Sequence, residues 1–91
     1  MTNNSSSALA NFQKSVEYDA KNDFSHYRVG MLYWRATKTN QAIIELAKAS
    51  VLNGPSSKEA RDQLNQLYRS AHGNTRGLPA IVQGARRVLG M

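Results

Sequence analysis

The chain has no cysteine among its 91 residues. That absence excludes a disulfide framework, a cysteine-ligated zinc finger and a thiol nucleophile, and it leaves the compartment open. No apolar run approaches the roughly 18 residues that a membrane-spanning helix needs. The opening segment Met1–Ser7 is polar and uncharged. It lacks the basic start and apolar stretch of a signal peptide and reads as a flexible leader. Histidine is scarce. His26 and His72 stand on different stretches, and neither has a carboxylate or a second histidine four residues on. His26 therefore reads as packed, and His72 as sitting at a helix C-terminus, where a cation is favoured. Gly73 and Gly77 bracket three residues, but the lysine of a phosphate-binding loop is missing. The many serines fall in the leader and at helix caps, and Glu17 and Asp19 read as solvated. No nucleophile, base and orienting group assemble, so neither catalysis nor a metal or other cofactor is expected.

Acid is missing from the C-terminal end. After Asp62 come Arg69, Arg76, Arg86 and Arg87 with no carboxylate to balance them, and the whole chain carries a net charge of +6. Such an end can meet nucleic acid, an anionic membrane or an acidic protein. These four arginines are the basic residues of the 29-residue stretch after Asp62. A spacing that sparse makes a solvated surface the first reading and the basic patch of Arg76, Arg86 and Arg87 the second.

What the sequence does contain is helical periodicity. Hydrophobic residues make up 41%, a globular proportion. Strand signals are absent, because no alternating β-branched run is flanked by turn dipeptides. Breakers divide the chain into five helical stretches, at about 8–20, 23–36, 40–53, 57–72 and 76–89. Residues 8–91 read as one small domain with a stability of only a few kcal/mol.

In the first stretch Leu9, Phe12 and Val16 share a face. Asn22 or Asp23 can cap the second. That second stretch carries Phe24, Tyr27, Val29, Met31, Leu32, Tyr33 and Trp34 on almost every side, so it must be covered on several sides or present a sticky surface. Gly30 inside it marks the close approach of another backbone. The third has an aliphatic side and a small-residue side, through Ala42, Ile43, Leu46, Ala47 and Ala49. Asn53-Gly54-Pro55 ends it, with glycine at the helix end and proline beyond. Ser56 and Glu59 have capping-box spacing at the start of the fourth, which repeats Ala60, Leu64, Leu67 and Tyr68. Gly73 breaks it. Pro79 is tolerable in the first turn of the fifth.

The stretches repeat. Ala8 and Phe12 align with Ala42 and Leu46 at a shift of 34 residues, and Val29, Leu32 and Tyr33 align with Leu64, Leu67 and Tyr68 at a shift of 35. Val29-Gly30-x-x-Tyr33, followed by Ala42, Leu46, Ala49 and Pro55, resembles one tetratricopeptide repeat. Pro55 falls one residue late through Gly54. His26 stands where the family often has tryptophan, and Thr37 where glycine is common. The resemblance spans Asn22 to Pro55. A half repeat precedes it, and a divergent repeat follows, with Asn65 in place of the glycine.

The resemblance implies an all-α fold of antiparallel helical hairpins, stacked as a short right-handed solenoid of about five helices. It also implies a non-catalytic module that holds a protein or peptide segment in a concave groove. Matching positions would be Phe24, Tyr27, Met31, Trp34 and Arg35 in the full repeat, and Glu59, Asp62, Gln66 and Arg69 in the divergent one. Aromatic residues, methionine and arginine suit such contacts. Tyr27 and Met31 are expected to be largely core, with Trp34 and Arg35 facing a partner. The alternatives are an electrostatic binder of nucleic acid or anionic lipid, and a structural end piece that terminates a larger solenoid or self-associates. The basic end lacks the interleaved aromatics of a single-strand binder, which ranks nucleic acid below a protein partner.

Overall fold

A computed structural model of the chain describes residues 11, 14 and 21–91. The expected leader at 1–7 lies outside the described residues. So does the first helical stretch, except for Asn11 and Lys14, which are helical and exposed. The described residues form four helices and no strand: α1 (Asp23–Arg35), α2 (Thr39–Val51), α3 (Ser57–His72) and α4 (Leu78–Val88). The described residues are therefore all-α, as the periodicity predicts.

Local chemistry sets each boundary. The Asn22 side chain accepts the Ser25 amide at 3.0 Å and so caps α1. Asp23, the other candidate cap, turns elsewhere. At the end of α1 the Lys38 amide donates to the Tyr33 carbonyl at 2.9 Å. That bond wraps the chain around Thr37, whose φ of 60° is left-handed. The position is one that glycine usually fills. The end of α2 is also set by an unexpected residue. Asn53, not Gly54, takes the left-handed conformation, with φ at 57°. Asparagine tolerates that region better than most residues. Gly73 ends α3 at φ 78°, its amide donating to the Arg69 carbonyl.

α1 and α2 fold back on each other across a short turn. His26 bonds Glu45, and Gly30 lies against Leu46. A Cβ placed on Gly30 would come within 2.8 Å of Leu46 Cγ and 3.2 Å of the Leu46 backbone nitrogen. The close approach expected at Gly30 is thus made by α2.

α2 is the hub. α1, α3 and α4 all pack on it, and α1 touches α3 more lightly. Its buried residues Ala42, Ile43, Leu46, Ala47, Ala49 and Val51 surround most of its circumference. Leu46 and Leu64 are fully buried, and each such side chain contributes about 1.5–3 kcal/mol relative to exposure. α3 and α4 are consecutive, yet they are not closely apposed. The divergent repeat expected over these two helices is therefore splayed, with α4 seated on α2 rather than along α3.

Candidate functional site

The expected groove residues fall on two neighbouring helices. On α1, Phe24 is 51% exposed, Tyr27, Met31 and Trp34 are half-buried, and Arg35 is exposed. Tyr27 and Met31 are thus less deeply buried than their apolar character suggests, while Trp34, the expected contact residue, also packs against the core. The reason is the hub: α2 covers one side of α1, and the aromatic residues at its flanks are only partly under that cover. Tyr27, Met31 and Arg35 border a small depression along α1 of about 110 Å³.

On α3, Glu59, Asp62, Gln66 and Arg69 are all exposed. Their spacing of three, four and three residues sets them on one face. None has an ion pair or a side-chain hydrogen bond among the described residues. The face carries charges of both signs.

The basic residues lie at the two ends of α4. Arg76, Arg86 and Arg87 are exposed. Arg76 precedes α4 and Arg86 lies near its end, with roughly 12 Å of helix axis between Leu78 and Arg86. Arg76 is tied into the preceding turn by its own amide, which donates to Asn74 Oδ1 at 2.9 Å.

A second concave feature follows from the splaying of α3 and α4. It is a cleft of about 380 Å³, with Val51, Leu64, Leu78 and Val82 as its apolar lining. Arg61, Asn65, Thr75 and Arg86 add polar groups around it. The Arg61 guanidinium donates to the Ser50 carbonyl at 3.2 Å, which holds it across the end of α2. Arg61, Leu64 and Asn65 project about a third of a turn away from the Glu59–Arg69 row at 100° per residue. The cleft and the row therefore use different faces of α3. Arg86 is visible in the sequence as part of the basic end, whereas Arg61 and the lining are not. Their proximity depends on the angle between two helices, and no local pattern encodes that angle.

Two partly buried polar networks join the helices. His26 is 3% exposed, and its Nδ1–H donates to Glu45 Oε1 at 2.7 Å. Lys48 Nζ donates to Glu45 Oε2 at 3.4 Å. Burial pushes the Glu45 carboxyl up, but the hydrogen bond from His26 and the charge of Lys48 outweigh it and hold it below its ordinary value. The histidine does pack, but through a carboxylate nineteen residues away, beyond any helical spacing. The second network centres on Asp23, whose Oδ2 accepts the Ser56 amide at 2.6 Å. A Cβ on Gly54 would overlap that carboxylate. Among the described residues no group of three or more histidines and carboxylates stands ready to hold a metal.

The chain matches no model of a known protein family, no curated protein and no solved structure.

Proposed function

We infer that this chain is a non-catalytic interaction module, a short right-handed tetratricopeptide-like solenoid that binds a protein or peptide segment along the face made by α1 and α3. The observation that carries this reading is the α3 row. Glu59, Asp62, Gln66 and Arg69 are exposed together and have no partner among the described residues, next to a helix that leaves Tyr27, Met31 and Trp34 half-covered. Apolar anchors beside unpaired charges of both signs provide affinity and register for one bound segment. The hairpin of α1 and α2, closed at Gly30, has the residue pattern of one repeat. A hub that is buried around most of its circumference suits a stack whose units cannot bury their apolar faces alone.

Selection of displayed random peptides on the full chain tests this reading. Selected peptides should bind with affinity that changes little with salt, and Arg35→Glu or Gln66→Arg should weaken them about tenfold. Both positions are exposed, so neither substitution threatens the fold. An electrostatic binder behaves differently. Its affinity for an oligonucleotide or anionic vesicle falls steeply with salt, with a log–log slope near the number of contacts. Binding of that kind, insensitive to Arg35 and Gln66, contradicts the module and favours the basic end.

A further inference from the structure

We propose that the cleft between α3 and α4 is a second binding site, distinct from the α1–α3 face, and that it takes an acidic peptide segment which inserts one large apolar side chain and sets a carboxylate between Arg61 and Arg86.

The cleft exists because α4 leans on α2 and leaves α3 uncovered on one side. Its volume of about 380 Å³ lies within the range of small ligand sites and exceeds what one large side chain fills. Val51, Leu64 and Leu78, from three helices, lie beneath the cleft, and Val82 and Pro79 supply its accessible apolar surface. Val51, Leu64 and Leu78 are buried, so they form a fixed floor and not a loose flap.

Charge decides the occupant. Two guanidinium groups border the cleft and no carboxylate does. Neither Arg61 nor Arg86 has an ion pair among the described residues. Arg61 uses one donor on the Ser50 carbonyl, which fixes its position and leaves donors of its fork for a ligand. Planar, five-donor guanidinium groups match a carboxylate in two-point geometry. A second copy of this chain is a poor occupant, because each copy carries a net charge of +6 and like charges repel. Nucleic acid is also poor, since an apolar floor offers nothing to a sugar–phosphate backbone and no aromatic residue lines the cleft to stack a base.

The experiment is an amide chemical-shift titration of the full chain. The probes are a panel of blocked hexapeptides, each with one Leu, Phe or Met beside one or two Asp or Glu at varied spacing. The controls are the same peptides with Asn and Gln in place of the acids. The expected result is that shifts gather on Leu64, Asn65, Leu78 and Val82, that the amide controls bind at least tenfold more weakly, and that Arg86→Gln weakens the acidic peptides about tenfold. Arg86 is exposed, and an unchanged spectrum away from the cleft verifies the fold of that variant. The proposal is overturned if no acidic peptide shifts the cleft residues, if the amide controls bind equally, or if Arg86→Gln has no effect. Tighter occupation of the same residues by phosphatidylserine vesicles or by an oligothymidylate strand overturns it as well. Arg35→Glu leaves this binding unchanged, so the cleft and the α1–α3 face succeed or fail separately.

Discussion

Thr37 carries a cost that the rest of the chain tolerates. A β-branched residue at φ 60° crowds its Cβ against the following carbonyl, a penalty of roughly 1–2 kcal/mol. Thr37→Gly removes that penalty, and the greater freedom of glycine in the unfolded chain offsets part of the gain. The net expectation is a stabilisation of about 0.5–1 kcal/mol, seen as a higher denaturant midpoint with an unchanged slope. Glu45 gives a second measurable effect. Its carboxyl is held below the ordinary value of 4.5. A depressed folded-state pKa stabilises above the unfolded value, and that stabilisation is lost as pH falls through the folded one. Thermal melts from neutral pH down through the acid range should show this loss, and Glu45→Gln should flatten that part of the profile. Thr37 was legible in the sequence as the residue standing where the repeat pattern has glycine. The Glu45 partnership was not, because helical spacing relates residues within one element, and His26 meets Glu45 across two.

The helices show the same division. Their existence and approximate extents follow from apolar periodicity and from Gly73 and the Asn53–Pro55 breaker. Their caps do not. Ser56 and Glu59 have the spacing of a capping box, but Ser56 makes no side-chain cap. Its amide is taken by Asp23 from α1 instead. Ser57 is the buried serine that holds the turn together. Its hydroxyl donates to the Ala49 carbonyl at 2.6 Å and accepts the Gly54 amide at 2.9 Å. Ser57→Ala leaves buried backbone groups without a partner and should cost about 1–3 kcal/mol. Ser56→Ala should change stability by less than about 0.5 kcal/mol, as surface substitutions do. Equal losses from the two in chemical denaturation would show that Ser56 does cap α3. A spacing rule saw only the local pair; the longer connection from Asp23 removed the need for it.

At the scale of the molecule, α2 joins everything to everything. Its small residues Ala42, Ala47 and Ala49 are fully buried, which lets three helices reach it. The sequence announced that role through its alanine-rich side. It did not announce that α4 would settle on α2 and swing away from α3, since a cleft depends on an interhelical angle set by many contacts at once. The result is a small basic helical protein with an aromatic helix, a row of exposed polar and charged residues beside it and an arginine-bordered cleft on another side. The central claim is that the α1–α3 face binds a protein segment. The most direct measurement is amide chemical-shift mapping of the tightest peptide selected on the full chain, with Trp34 followed through its indole N–H. Shifts at Tyr27, Met31, Trp34, Gln66 and Arg69 are the predicted result. Shifts confined to residues away from α1 and from that row of α3 would contradict it.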